Sequence, residues 1–141
     1  LSTQAEGEAR ESAMTHAAIA NEARATGNPA DPPVVFLSGG ETTVTVRGDG
    51  SGGPNQEFAL GGALALDGGI VLGSVDTDGS DGATEAAGGL VTRTALDDPD
   101  RARDALADND AYTYLRDRDA LVLTGPTGTN VNDLRVVVVP Q

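Results

Sequence analysis

The chain has no cysteine, no lysine, no tryptophan and a single histidine among its 141 residues. Without cysteine there is neither a disulfide nor a thiolate zinc site. One histidine, His16, is too few for an imidazole metal cluster, and its alanine-rich surroundings read as a helix surface. Without lysine no Walker-type phosphate lysine exists, and neither a P-loop nor a G-x-S-x-G nucleophile elbow occurs. No apolar run approaches the roughly 18 residues of a membrane span. No signal-peptide pattern opens the chain, so the expectation is a cytoplasmic protein. Leu1 leads directly into helix-capping sequence, as expected of a domain cut from a longer protein.

Positive charge is scarce as well. Twenty-two acidic residues stand against nine basic ones, all arginine, for a net charge of −13. Such a surface repels nucleic acid and anionic membranes, which excludes both as partners. In molar salt the Debye length falls to about 3 Å and the self-repulsion is screened. Acidity combined with a complete absence of lysine points to a protein adapted to a very salty cytoplasm.

The large apolar residues that are present fall in short dense blocks: Val34–Leu37, Ile70–Val75, Leu121–Leu123 and Val136–Val139. Blocks of that kind read as buried strands, so the chain folds. Thr3 and Glu6 have capping-box spacing ahead of Ala9, Ala13, Ala17 and Ala20, a small-residue stripe at helical period that ends at Gly27. Residues 28–33 contain three prolines and cannot continue a helix, which sets a boundary there. Residues 1–30 then close a preceding domain, and residues 31–141 form the next.

Past the boundary, Val34–Leu37 reads as a buried strand and Thr42–Val46 as an alternating one, close enough to pair with it as a hairpin. Pro54 opens a helix through about Leu66, Ile70–Val75 is a strand, and Thr84–Ala87 is a short helix. Residues 93–117 form two helical pieces, the first opened by Pro99 and the second capped by Asn109. Leu121–Thr124 and Leu134–Val139 close the chain as strands. The expected fold class is α/β: a layered α/β/α sandwich with a mixed sheet that includes a hairpin.

Three loops leave strand ends, where open α/β sheets bind ligands. The first, Gly48–Gly53, matches G-x-G-x-x-G at Gly48, Gly50 and Gly53. A dinucleotide fingerprint needs a continuously apolar strand before it, and Thr42–Val46 alternates instead. The remaining readings are a loop whose free backbone N–H groups admit an anion, and a flexible turn. The second loop, Asp76–Gly82, places three carboxylates within six residues and suits a hard cation such as Mg²⁺, or a solvated turn. An EF-hand fails on spacing, because Ser80 and Ala87 occupy its fifth and twelfth positions. The third, Gly125–Asp133, offers hydroxyls and amides suited to phosphate or sugar oxygens. Phosphoryl transfer needs positive charge, for which Arg47 and a bound Mg²⁺ are the nearby candidates. The chain reads as half of an active site.

Taken together, Ser38-Gly39-Gly40-Glu41-Thr42-Thr43-Val44-Thr45-Val46, Gly52-Gly53-Pro54-Asn55-Gln56-Glu57, Thr77–Gly82 and Gly125–Leu134 resemble the MOFRL domain. That domain is the C-terminal part of the glycerate 2-kinase family, some members of which carry the label hydroxypyruvate reductase. The resemblance runs through residues 34–139 in order, and residues 1–30 look like the end of the family's N-terminal domain. It implies phosphorylation of D-glycerate to 2-phosphoglycerate with ATP as co-substrate and Mg²⁺, in a cleft shared with a larger N-terminal domain. Ser38, Gly39, Gly40 and Glu41 would line that cleft. Asn55, Gln56 and Glu57 would face it from a helix N-terminus, and Thr127, Thr129, Asn130 and Asp133 would complete the wall. Asp78 and Asp81 would approach the metal, with Arg47 and Glu57 as the catalytic candidates. Many relatives have arginine where this chain has Pro54, so any charge role there moves to Arg47 or to the other domain.

Three functions therefore compete: the C-terminal part of a glycerate 2-kinase, inactive alone; an NAD(P)H-dependent hydroxypyruvate reductase; and a non-catalytic module that binds a small acid or Mg²⁺. The implied partners are glycerate and the chain's own N-terminal kinase domain, with homo-oligomerisation left open.

Overall fold

Ala9, Ala13, Ala17, Ala20 and Ala23 are all fully buried on one face of helix α1 (Ala9–Thr26). Side chains this small let a second helix come close. That helix is α2 (Pro54–Ala65), which is buried from Asn55 to Ala63 and so forms the centre of the helical layer. Pro54 starts it where a missing N–H costs nothing. Gly27 ends α1 in the left-handed region at φ 79°, its N–H on the Ala23 carbonyl.

The computed structural model describes all 141 residues. Its remaining elements are β1 (Ser2–Ala5), β2 (Val34–Gly40), β3 (Val71–Asp76), β4 (Gly88–Thr92), α3 (Pro99–Ala107), α4 (Ala111–Arg116), β5 (Leu121–Val122) and β6 (Asp133–Val139). One turn of 3₁₀ helix, Arg93–Ala95, links β4 to α3. The six strands form a single sheet in the order β1-β2-β6-β3-β4-β5. Only β1 and β2 run parallel; every other neighbour is antiparallel. The sheet is mixed, as expected; its sequence-adjacent antiparallel pair is β3/β4, not the expected pairing of 34–37 with 42–46.

Strand parity decides what meets the helices. Phe36, Leu72, Val91, Val137 and Val139 point to the helical side and join the alanines of α1 and Phe58 and Leu60 of α2 in one core. α3 and α4 also pack on α2, so the helices form one layer against the sheet.

Several local expectations change. Thr42–Val46 is not a strand: both edges of β2 are occupied, by β1 and by β6, so no edge is free for a hairpin partner. Thr43 keeps only an isolated bridge to Glu8. Residues 2–5 are a strand rather than a helix start, and Glu8 takes the N-cap position of α1. Through β1 and α1, residues 1–30 share the sheet and core of the rest, so the proline-rich linker does not separate two cores. Thr84–Ala87 is a bend leading into β4, not a helix. Asp110, not Asn109, occupies the N-cap position of α4.

Candidate functional site

β2 ends at Gly40, β3 ends at Asp76 and β6 begins at Asp133, and Asp133 pairs with both of the others. The second and third loops therefore leave one rim of the sheet, beside the end of β2, whereas Gly48–Gly53 follows a non-strand segment. The second and third are stitched together. Thr77 donates its N–H to the Asn132 carbonyl at 3.0 Å, and its hydroxyl accepts from the Val131 N–H at 2.8 Å. Asn130 donates to the Asp78 carboxylate at 3.3 Å, and Thr127 donates its hydroxyl to the Thr77 carbonyl.

Beneath the rim lies a buried polar cluster between the sheet and the start of α2. The Asn55 side-chain amide donates to Asp81 at 3.1 Å and to Asp133 at 2.8 Å, and its oxygen accepts from the Ser74 hydroxyl at 2.6 Å. Asp133 also accepts from the Thr42 N–H at 3.2 Å and is ion-paired with Arg135. Arg135 is fully buried, donates to the Thr42 hydroxyl at 3.0 Å, and lies 4.8 Å from the Phe58 ring centroid. Its Nε and Nη1 have no partner. Burial lowers its pKa, while Asp133 pulls the other way.

His16 is buried rather than on a helix surface. Its Nδ1 lies 2.8 Å from the Ser12 carbonyl, which can only accept, so the neutral ring donates there. Nε2 is then the acceptor for the Ser38 hydroxyl at 2.7 Å. Burial lowers the His16 pKa and favours this neutral form.

Several sequence-derived roles do not fit these positions. Asp81 was expected near a metal, but its carboxylate accepts the N–H groups of Asn55 at 3.0 Å and Gln56 at 2.8 Å, so it closes the N-terminus of α2. Asp78 accepts from Ser80 and Asn130. Nowhere do three His, Cys, Asp or Glu side chains converge as metal ligands. The chain thus forms no all-protein cage for Mg²⁺. Glu57, expected at the catalytic centre, is 1% exposed and turned into the core. Arg10 pairs with it at 2.7 Å and Asn109 donates to it at 2.8 Å.

Five consecutive amides of the glycine-rich loop, those of residues 47–51, are occupied, while those of Gly52 and Gly53 have no partner in the chain. The N–H groups of Arg47 and Gly48 donate to the Asn109 side chain at 2.6 and 2.9 Å, and those of Asp49, Gly50 and Ser51 donate to Asp108 and Asp110. Glycine is required at Gly48 and Gly50 because a Cβ at either would collide with the α3–α4 hinge, at Asp108 and Asp110. At Gly48 and Gly50 the motif matches a close-packing requirement.

The candidate residues thus sort into two levels. Glu41, Arg47, Thr127, Thr129 and Asn130 are exposed, and Gly39 and Gly40 half-buried. Ser38, Asn55, Gln56, Asp81 and Asp133 are buried supports beneath them. Arg47 stands apart from the second and third loops, over the α3–α4 hinge, and makes no ion pair. The supports that sequence reasoning missed are His16, Thr42, Ser74, Asn109 and Arg135. Ser74 and Arg135 carried a signal: each sits at core-facing parity inside an apolar block, in step with Leu72 and with Val137.

The MOFRL family profile matches residues 34–133. The D-glycerate 2-kinase of Thermotoga maritima is 46% identical over 143 residues, covering 95% of this chain and 34% of that protein. An Agrobacterium vitis protein named as a hydroxypyruvate reductase is 44% identical, covering 95% of this chain and 37% of its own. The crystal structure of glycerate kinase from Thermotoga maritima superposes with a TM-score of 0.95 at 42% identity, covering 99% of this chain and 35% of that one. The chain spans about a third of the length of these relatives. No helix is long and apolar enough to cross a membrane.

Proposed function

This chain belongs to the MOFRL family, and on that footing we propose that it is the C-terminal third of an ATP-dependent glycerate 2-kinase. In the proposed reaction the C2 hydroxyl oxygen of D-glycerate attacks the γ-phosphorus of ATP, the bond from that phosphorus to the bridging oxygen of ADP breaks, and the hydroxyl proton is released as 2-phosphoglycerate forms. The setting is the cytoplasm, and the active site is a cleft between this rim and the rest of the kinase.

The observation that carries the reading is the meeting of the end of β2 with the second and third loops on one rim above a buried polar cluster. Exposed Thr127, Thr129 and Asn130 supply hydroxyls and an amide to the glycerate carboxylate and hydroxyls. Arg47 offers an unpaired guanidinium to phosphate. Glu41, with Gly39 and Gly40 behind it, borders the acid-binding side. Ser38, Asn55, Gln56 and Asp133 position the loops from below. Glu57 fits a positioning role, acting through Asn109, which grips the first loop.

The rim is acidic, with Glu41, Asp76 and Asp78 at the loop roots. A nucleotide polyanion therefore needs cationic groups from the other part of the kinase. That requirement supports a two-part site in which this chain alone is inactive. Mg²⁺ would enter with the nucleotide, and no step is assigned to a metal held by this chain.

The test is a coupled ADP assay with D-glycerate, run on the chain joined to the preceding kinase polypeptide and on the 141 residues alone. Glycerate-dependent ADP formation by the joined protein only is the expected result. NAD(P)H consumption with hydroxypyruvate would instead favour the oxidoreductase reading, which the occupied amides of residues 47–51 disfavour.

A further inference from the structure

The segment Gly39–Glu41, at the end of β2, is held from below at both of its ends. On its far side the buried Thr42 is fixed to β6. The Thr42 N–H donates to Asp133 at 3.2 Å, and its hydroxyl accepts from Arg135 at 3.0 Å. On its near side the anchor is the buried Ser38, whose hydroxyl lies 2.7 Å from His16 Nε2. That contact is the one side-chain hydrogen bond between the helices and β2. Between the two anchors Gly39 and Gly40 carry no side chain. Gly40 stands at φ 121° against the Ala5 backbone, where a Cβ would collide. The position of the segment is therefore set by its ends.

We propose that His16 is a positioning residue for glycerate binding, acting through Ser38 to hold the Gly39–Glu41 segment at the rim. The inference rests on the proposed function, which sets that segment on the acid-binding side. His16 touches no substrate, because Ser38 and the sheet end lie between it and the rim. Its ring is prepared for the task from two sides. The Ser12 carbonyl, one turn back in α1, takes the Nδ1 proton at 2.8 Å and leaves Nε2 with a lone pair for the serine. The Phe58 ring meets the imidazole edge-on, with centroids 5.1 Å apart, and the site is only 8% exposed, so water does not compete for the contact. Turning the ring away would leave a buried donor and a buried acceptor unpaired, which makes the arrangement stiff. Packing alone does not call for this pair. Deeper on β2 the inward residue is Phe36, and the neighbouring inward positions of α1 are Ala13, Ala17 and Ala20. On these two elements the polar pair stands only where the core meets the rim.

The test places His16→Leu, His16→Gln, Ser38→Ala and the double variant His16→Leu/Ser38→Ala in the joined kinase, with circular dichroism to confirm folding. In His16→Leu and in Ser38→Ala the KM for D-glycerate is expected to rise on the order of 10-fold with kcat little changed, since binding loses its support and the reacting atoms do not. The double variant should be no worse than either single one, because the same contact is removed once. His16→Gln, whose amide oxygen accepts from Ser38, should recover most of the loss. Two readouts do not depend on activity. Hydrogen exchange at Glu41, whose N–H donates to the Ala5 carbonyl at 3.0 Å, should quicken in His16→Leu and Ser38→Ala. Nitrogen NMR should show the His16 ring protonated at Nδ1 and bare at Nε2. A folded His16→Leu protein with KM and Glu41 exchange unchanged overturns the inference, whatever its melting temperature, and so does a proton on Nε2. If His16→Leu does not fold, Ser38→Ala, which removes a single oxygen, decides by the same two measurements. A joined kinase that does not phosphorylate glycerate refutes the proposed function, while exchange and tautomer still decide the anchoring of the segment; an active kinase with neither effect does the reverse.

Discussion

The Asp81 carboxylate accepts both the backbone N–H and the side-chain amide of Asn55, at 3.0 and 3.1 Å. One contact thereby ties the acidic loop after β3 to the first turn of α2, and through Asn55 to Asp133 at the start of β6. The rim is rigid at its root because the carboxylates a solvated turn would expose are spent inside.

Removing this carboxylate has a predictable cost. Asp81→Ala leaves buried N–H groups without an acceptor and is expected to lower stability by about 2–3 kcal/mol, read by urea denaturation.

The same residue sets a pH dependence. Burial, opposed by the Asn55 and Gln56 hydrogen bonds and reinforced by Asp133, pushes the Asp81 pKa up to about 6 from 3.8. A raised folded-state pKa gives stability that is full below the unfolded value and is lost as pH rises through the folded one. About 3 kcal/mol should therefore disappear between roughly pH 4 and 6. Asp81→Asn should flatten that part of the stability–pH curve; an unchanged slope would place the titration elsewhere.

Asn109 is the anchor of the first loop. Its oxygen accepts from Arg47 and Gly48, and its amide donates to Thr45 and Glu57. Asn109→Ala should cost about 2–3 kcal/mol. Hydrogen exchange at Arg47 and Gly48 should accelerate selectively, with little change in the β6 amides. Asn109→Gly separates the hydrogen bonds from the backbone, which stands at φ 56°.

The buried ion pair predicts an order of effects. Asp133→Ala strands the Arg135 charge in the core and should cost about 3–5 kcal/mol. Arg135→Met in the Asp133→Ala background should recover much of that loss, because the apolar replacement needs no partner.

Net charge of −13 predicts salt dependence. The melting temperature should fall as KCl is lowered from molar to about 0.1 M, as screening weakens. A flat profile would remove the high-salt reading of the composition.

The sequence carried the layered α/β class, the strands of the Val and Leu blocks, the Pro54 helix start and the Gly27 stop, because burial period and backbone chemistry are local. It misled wherever long-range pairing decided. Thr42–Val46 has strand alternation, yet the free edge it needed went to β1 and β6. Gly48 and Gly50 fit a phosphate motif, yet their reason is contact with a hinge some 60 residues away, invisible to spacing. Glu57 follows a helix start as a cleft residue would, but the helix turns it toward Arg10 and Asn109. The candidate loops were legible as loops. Which of their side chains are spent on support was not.

Product analysis of the joined kinase tests the central claim most directly. With D-glycerate and ATP, phosphorus NMR should show 2-phosphoglycerate appearing with ADP, and Thr127→Ala combined with Asn130→Ala should lower the rate without unfolding the protein. Phosphate on the C3 hydroxyl, or no transfer at all from a folded joined protein, would contradict the account.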